Sequence, residues 1–303
     1  MKIAALDVMF YDIPIEKRLK RIHDLGFEGT ELWLGSAELG FSVEREWPDS
    51  HKFKPVLIRP EKLRKMAENA GIHINSFGQY TIMGPTVAPF PTEVVTGNVR
   101  KKRLEDIMNL LSYSAESGSR ILICESGGDC DKVDQWKTFT EDFMRKLVDH
   151  AEKVGATLAM ENTPHNLVKD EDDLLKLMKI FDSKALRVAF DPANLNLTPP
   201  GKRDLVGAIR TLSDYIEIVH AKDSVYGGGP YGKMPDGTWS CPPIGKGTVP
   251  WKDCLQAFKQ IGYDGWLIVE YSYPFKEVSL NQREEAAVEG KNYLTRLIDH
   301  KAR

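Results

Sequence analysis

The stretch TLAMEN at 157–162, together with LRVAFD at 186–191, decides the fold, because each is a short apolar run that reaches a carboxylate at its end. Continuous apolar runs, rather than alternating ones, are typical of parallel strands that are covered on both faces. Comparable β-rich runs occur along the whole chain and predict six more strands: IAALDV (3–8), GTELWL (29–34), IHINSF (72–77), RILICES (120–126), IEIVHA (216–221) and WLIVEY (266–271).

The segments between these runs have the period of helices with one apolar face. Their apolar residues recur every three or four positions, as in Ile15, Leu19, Ile22 and Leu25; in Leu104, Ile107, Met108, Leu111 and Ala115; and in Phe143, Leu147, Ala151 and Val154. Many of these segments end at a glycine just before the next strand, namely Gly26, Gly71, Gly118, Gly155 and Gly262. Glycine supplies the left-handed residue that closes a helix, so the chain repeats one βα unit.

Eight such units predict an α/β protein, a single (β/α)8 TIM barrel that occupies residues 1–303 as one domain. A doubly wound sheet uses the same local units, but its usual five or six strands fit the count less well. No Pro/Ser-rich linker divides the chain. Three stretches that follow predicted strands are longer than ordinary βα loops: 35–60, 78–95 and 223–250. We expect them to form walls or lids over a pocket at the C-terminal face, and the alternative is that they pack against a partner subunit.

The composition is that of a soluble globular protein, with 42% hydrophobic and 28% charged residues. A net charge of -3 provides no global basic field, so a nucleic-acid partner is not expected. The four cysteines form no CxxC pair, which favours reduced thiols. The first residues do not resemble a signal peptide and no apolar run is long enough to span a bilayer, so we expect no membrane association and a cytoplasmic location.

Four potential metal ligands lie at the ends of the last four predicted strands: Glu161, Asp191, His220 and Glu270. Each is one βα unit from the next, so in a barrel all four converge on the C-terminal face. Three carboxylates and an imidazole suit one divalent cation, with Mn²⁺ as the first choice and Mg²⁺ or Co²⁺ as alternatives. Taken singly, each has an ordinary structural explanation: an acid at a strand end can cap a helix, and a histidine can be a buried hydrogen-bonded residue.

Several motifs resemble those of the xylose-isomerase-like TIM barrel superfamily, which includes the sugar phosphate isomerases and epimerases. The resemblance covers nearly the whole chain and is carried by MENTP (160–164), FDPAN (190–194), HAKD (220–223), PIGKGTVPW (243–251) and YDGWLIVE (263–270). It implies that the four ligands bind one divalent ion, which stabilises the enediolate formed from a keto sugar or related polyol. It also implies that Glu161 and Glu270 act as the acid/base pair of an isomerase or epimerase.

The sequence departs from this pattern at two positions. Keto-sugar epimerases of the superfamily often have a substrate-binding histidine where this chain has Asn194, and another glutamate where it has Leu167. We keep Asn194 as a candidate substrate contact, but a plain ketohexose epimerase is less expected.

Further candidates surround the predicted ligands. His165 is a candidate general base or a loop histidine exposed to water. Lys222 lies two residues after His220, on the same side of the strand, and is a candidate for a substrate oxygen or a solvated lysine. Gln79 and Glu125, after strands three and four, are weaker candidates for substrate binding, and Glu125 could equally form an inter-strand salt bridge.

Other functions fit the same barrel. The resemblance also includes lyases, namely C-glycoside deglycosidase subunits that act on 3-oxo glycosides with a small partner subunit, and keto-inositol dehydratases. An abasic-site endonuclease is a remote alternative, because it would cluster three metals with more histidines than the seven found here. A non-catalytic sugar-binding barrel is a further alternative. The expected partner is a small sugar, and a homo-oligomer or a small second subunit is compatible with the loops.

Overall fold

The computed structural model describes residues 1–33, 58–84, 94–198, 203–226, 240–271 and 277–299. Within these ranges the strands pair in chain order, all in parallel, and the last strand pairs with the first to close the barrel. The predicted fold class, an α/β (β/α)8 barrel, is confirmed. The strands are β1 Lys2–Leu6, β2 Gly29–Trp33, β3 His73–Thr81, β4 Ile121–Glu125, β5 Thr157–Glu161, β6 Leu186–Phe190, β7 Ile216–Ala221 and β8 Trp266–Val269.

Helices follow the strands and cover the outside of the barrel. They are α1 Ile15–Asp24, α2 Pro60–Ala70, α3 Gly97–Ser117, α4 Gln135–Thr138, α5 Arg145–Val154, α6 Glu171–Phe181, α7 Pro192–Leu197, α8 Leu205–Thr211, α9 Trp251–Gln260 and α10 Leu280–Asp299. A 3-10 turn follows β1 at Asp7–Phe10, and a π-helical turn at Phe139–Met144 joins α4 to α5. The five glycines predicted to close helices all have φ between 69° and 89°, as the repeated unit requires.

The predicted strand boundaries agree with the structure within two residues except at the end of the third strand. The third strand was expected to end at residue 77, but β3 continues to Thr81 because it pairs with β2 and β4 beyond that point. Gly78 resembles a turn residue in the sequence, yet its backbone pairs with Trp33. Gln79 therefore belongs to β3 rather than to a loop after it, and the connection to α3 begins at residue 82.

The three long connections follow β2, β3 and β7, at the carboxyl ends of these strands as predicted. Most of their length (34–57, 85–93 and 227–239) lies outside the described residues, so their role as walls or lids stays a prediction. No described helix combines the length and the apolar character needed to cross a bilayer. All four cysteines are free thiols, as expected.

The apolar core has two parts because strand side chains alternate between two faces. The larger part lies between the strands and the helices. The smaller part fills the inside of the barrel and includes Ala4, Leu6, Ile123, Ala159, Ala189, Ile218 and Ile268. Polar side chains extend from the same inner face toward the C-terminal mouth, where the candidate site lies.

Candidate metal centre

The four predicted ligands share one position in the strand pattern. Each follows a residue of the inner apolar cluster by two positions, as Glu161 follows Ala159 and His220 follows Ile218. A separation of two residues keeps a side chain on the same face of a strand. The barrel therefore directs the side chains of Glu161, Asp191, His220 and Glu270 into its own mouth.

The structure brings the four predicted ligands together. One donor atom from each lies within 4.8 Å of a donor atom from every other, and all four residues are buried. His220 lies in the middle: its Nδ1 is 3.1 Å from Oε1 of Glu161 and 3.2 Å from Oε2 of Glu270. Glu161 and Glu270 thus both contact the same nitrogen of the imidazole, so oxygen and nitrogen donors from three strands meet at one point.

Asp191 is held rigidly where β6 meets α7. Its Oδ1 accepts the backbone N–H groups of Ala193 and Asn194 at 2.7 and 2.9 Å, so it does cap this short helix. The side chain of Asn162, just after β5, exchanges two hydrogen bonds of 2.9 Å with the backbone of Asp191. Asp191 can therefore cap the helix and also belong to the site. It uses Oδ1 for the cap, while its Oδ2 lies 2.8 Å from Nζ of Lys222.

Lys222 extends into the site as the alternation predicted, and it is not a solvated lysine. Its side chain is only 1% exposed, and its ammonium group donates to Oε1 of Glu270 at 3.0 Å. A buried cation between Asp191 and Glu270 offsets part of the repulsion among the acids. Its predicted contact with a substrate oxygen stays a prediction.

Asn194 lies against Glu161. Its Nδ2 donates to Oε1 of Glu161 at 3.0 Å and to the backbone oxygen of Asn162 at 3.1 Å. The amide therefore orients the glutamate that we expect to act on the substrate. Whether Asn194 also contacts the substrate stays a prediction.

The remaining candidates lie around this cluster. Glu125 ends β4, is half-buried, and is paired in register with Glu161 on the next strand. His165 lies in the loop after β5 with φ +66°, a conformation that non-glycine residues rarely adopt, and it is half-buried. The side chain of Gln79 lies outside the described part of the molecule. For all three, substrate binding or catalysis stays a prediction.

Two residues near the cluster did not emerge from the sequence. Glu31 on β2 is completely buried, and its Oε2 lies 3.2 Å from Nε2 of His220. Cys241 is also buried, and Lys222, Asp191 and Glu270 all influence its ionisation. The only sequence feature that could have indicated Glu31 is an acid inside a strand of otherwise uncharged residues, GTELWL.

Burial and mutual contacts shift the pKa values of the residues in the cluster. Burial raises the pKa of Glu161 and of Asp191, although His220 and Lys222 respectively oppose the shift. Burial lowers the pKa of His220, but Glu161 and Glu31 outweigh this and raise it well above the ordinary histidine value. Buried acids stay ionised only beside positive charge; Lys222 supplies part of it, and a divalent ion held by the four predicted ligands would add to it.

The chemistry of the donors fits a hard or borderline ion. Oxygen and imidazole ligands suit Mn²⁺, Mg²⁺ or Co²⁺. The nearby thiol does not alter this conclusion, because burial raises the pKa of Cys241 to about 11 and keeps the sulfur protonated at neutral pH.

Comparisons with known proteins agree with this architecture. The chain is 24% identical over 201 residues to L-ribulose-5-phosphate 3-epimerase UlaE of Salmonella paratyphi A, an alignment that covers 65% of each protein. An uncharacterized protein of Methanocaldococcus jannaschii is 25% identical over 182 residues, or 57% of each. The chain thus spans less than two thirds of the length of these curated relatives.

A solved structure resembles the barrel over almost its entire length. It is D-psicose 3-epimerase from Clostridium cellulolyticum H10, with D-tagatose, which has a TM-score of 0.71 and 17% identity and covers 98% of this chain and 99% of its own. At this identity the likeness shows the fold alone. The xylose isomerase-like TIM barrel family model matches residues 19–297, and the chain therefore belongs to that family.

Proposed function

We propose that this protein is a divalent-metal-dependent isomerase or epimerase that moves a proton on a keto sugar or a related polyol. The observation that carries the proposal is the buried cluster at the C-terminal mouth, in which Glu161 and Glu270 both lie within 3.2 Å of Nδ1 of His220. Active sites of this barrel class lie at that face. A structural salt-bridge network has no need to gather three acids and an imidazole within 4.8 Å.

Glu161, Asp191, His220 and Glu270 would hold the ion. Such an ion, when bound, polarises a ketone and stabilises the negative charge that develops when the adjacent C–H loses its proton. The protein fixes three of its ligands with its own hydrogen bonds. Asp191 is fixed by the α7 backbone, Glu161 by Asn194, and Glu270 by Lys222.

Glu161 and Glu270 would transfer the proton. One carboxylate takes the proton from the carbon beside the ketone, and the other returns a proton either to the opposite face or to the neighbouring carbon.

The substrate class is inferred from chemistry and relatives together. The relatives' names include a ketose-phosphate 3-epimerase and a ketohexose 3-epimerase, and carbon 3 of such a sugar is next to its ketone, which supports a keto sugar as the substrate class. A further structure with TM-score 0.70, 16% identity and coverage of 98% and 99% of the two chains is the 3-keto-D-glucoside 4-epimerase YcjR from E. coli. Leu167 stands where keto-sugar epimerases of this family often have a glutamate, and it is buried in the core. A substrate other than a plain ketohexose is therefore favoured, and a 3-keto glycoside is the first choice.

The experiment is a substrate panel followed by product identification. The Mn²⁺-loaded protein is incubated with D-psicose, L-ribulose 5-phosphate and a 3-keto glucoside, and NMR identifies the products. We expect an epimer or isomer of one of them. An unsaturated product or a released aglycone would instead identify a lyase, and no conversion of any keto sugar would contradict the proposal.

Glu270→Gln tests the role of the cluster in turnover. We expect turnover to fall about 10²- to 10⁴-fold, the usual worth of a general acid/base group. A matched control is Glu284→Gln, which alters another buried glutamate, paired with Arg21 in the helical layer. Undiminished activity in Glu270→Gln, with both variants folded, would disprove the mechanism.

A further inference from the structure

Glu31 is a buried carboxylate that the proposed mechanism does not use. It lies inside β2 and is 0% exposed. It is not among the four residues whose donor atoms all lie within 4.8 Å of one another. A buried acid without a ligand role or a catalytic role needs another explanation, because burying an ionised carboxylate is unfavourable.

The contacts of Glu31 point to one imidazole. Its Oε2 lies 3.2 Å from Nε2 of His220, and the same oxygen accepts a hydrogen bond of 2.8 Å from Oγ of Ser76 on β3. Ser76 is also completely buried. The hydroxyl of Ser76 therefore orients Glu31, and Glu31 contacts Nε2 of His220.

The barrel makes room for this carboxylate. A β-carbon at position 78 would collide with Oε1 of Glu31, so Gly78 is the residue that admits the side chain between β2 and β3. The glycine lies in the regular part of the pairing between β2 and β3, opposite Trp33. The glycine at position 78 therefore leaves room for the side chain of Glu31 and does not form a turn.

The two nitrogens of His220 face different partners. Nδ1 faces Glu161 and Glu270 at 3.1 and 3.2 Å, whereas Nε2 faces Glu31. A neutral imidazole that offers the lone pair of Nδ1 to a cation must carry its proton on Nε2. That proton needs an acceptor, and among the described contacts of Nε2 the acceptor is Oε2 of Glu31.

We propose that Glu31 is a positioning residue of the cation site: its carboxylate accepts the Nε2–H of His220, and thereby fixes the ring and directs the Nδ1 lone pair toward the ion. The inference rests on the cation site of the proposed function. Outer carboxylates that hold a ligating histidine in this way typically change metal affinity by about 10- to 100-fold when they are removed.

The test measures Mn²⁺ binding to EDTA-treated protein by isothermal titration calorimetry. We expect one Mn²⁺ site in the wild type, with affinity about 10- to 100-fold weaker in Glu31→Gln and unchanged in the control Glu284→Gln. Ser76→Ala, which keeps Glu31 but removes the hydroxyl that orients it, is expected to weaken binding by a smaller factor in the same direction. Ser76→Ala also tests the proposal if Glu31→Gln does not fold.

A second readout separates positioning from a structural role. In ¹⁵N-labelled protein loaded with Mg²⁺, the Nε2-bound proton of His220 should resonate downfield, as expected for a hydrogen bond to a carboxylate, and move upfield in Glu31→Gln. The resonance is assigned by its loss in His220→Gln. Equal Mn²⁺ affinity and an unmoved resonance in a folded Glu31→Gln protein would overturn the inference and leave the proposed function intact. A wild type that binds neither Mn²⁺, Mg²⁺ nor Co²⁺ would overturn the cation site itself.

Discussion

Charge balance governs the site at the scale of single residues. Four buried carboxylates (Glu31, Glu161, Asp191 and Glu270) surround one imidazole and one ammonium group. Taking charges out of water costs several kcal/mol for each ion unless partners compensate. In the proposed site, Lys222 and a bound divalent ion would both neutralise the carboxylates of Asp191 and Glu270, and they would repel each other because both are positive.

Lys222→Met tests this repulsion. Like charges about 4 Å apart in a protein of intermediate polarity repel by about 4 kcal/mol, of which relaxation removes a large part. We expect Mn²⁺ to bind at least about 10-fold more tightly to the variant. Turnover should fall nevertheless, because Glu270 loses the donor at 3.0 Å that orients it.

The matched control is Lys169→Met, in which the lost partners are Asp170 and Asp173, outside the site. Its Mn²⁺ affinity should equal that of the wild type in the same calorimetric titration. Weaker Mn²⁺ binding by Lys222→Met would contradict the expected repulsion between Lys222 and the ion. It would show instead that the ammonium group mainly holds the ligand oxygens in place.

At the scale of elements, one carboxylate fastens the connection between β7 and α9. Asp223 accepts the backbone N–H groups of Ser224 and Val249 at Oδ1, and those of Gly245 and Gly247 at Oδ2. This carboxylate joins the HAKD motif to the PIGKGTVPW motif. It secures the end of the connection beside Lys222.

Asp223→Asn should destabilise the protein strongly. An amide keeps one acceptor oxygen but directs an NH₂ group at two N–H donors, and hydrogen bonds to charged groups are worth about 1.5–3 kcal/mol each. We expect the free energy of unfolding to fall by about 3–5 kcal/mol in urea denaturation. Asp204→Asn, at an exposed acid that caps α8 by accepting the N–H of Gly207, should cost less than about 0.5 kcal/mol, because asparagine caps a helix about as well as aspartate. Equal losses in the two variants would contradict the fastening role.

The elements were predictable where local chemistry sets them. Apolar runs and the closing glycines predicted the eight strands and their order, and strand-end positions predicted the four clustered ligands. The end of β3 was not predictable, because Gly78 resembles a turn residue and its actual role is to admit the side chain of Glu31. Glu31 itself was missed because its partner His220 is 189 residues away, and only closure of the barrel brings the two together.

At the scale of the whole molecule, protonation of the site and stability are linked. The pKa values of Glu161 and Asp191 are raised by burial, and that of His220 is raised by Glu161 and Glu31 against the effect of burial. Groups whose pKa is higher in the folded state stabilise the fold at low pH and lose that contribution as the pH rises through the raised values. Without a cation the molecule should therefore lose stability as the pH rises past neutrality.

Thermal unfolding at about pH 6 and about pH 8.5, on either side of the ordinary range for histidine, checks this prediction. A cation competes with protons for the same ligands, so Mn²⁺ should raise the Tm of EDTA-treated protein more at the higher pH. The control is Glu270→Gln, in which the gain at both pH values should be smaller. An equal gain in the wild type at both pH values would show that these groups do not bind the ion.

Solvent isotope exchange tests most directly whether the cluster removes a proton from a carbon beside a ketone with the help of a divalent ion. The Mn²⁺-loaded protein is incubated in D₂O with the keto sugar that it converts, and NMR locates the deuterium. We expect deuterium at one carbon adjacent to the ketone, and none after treatment with EDTA or in Glu270→Gln. Conversion without any deuterium at such a carbon, or the same exchange after removal of the metal, would contradict it.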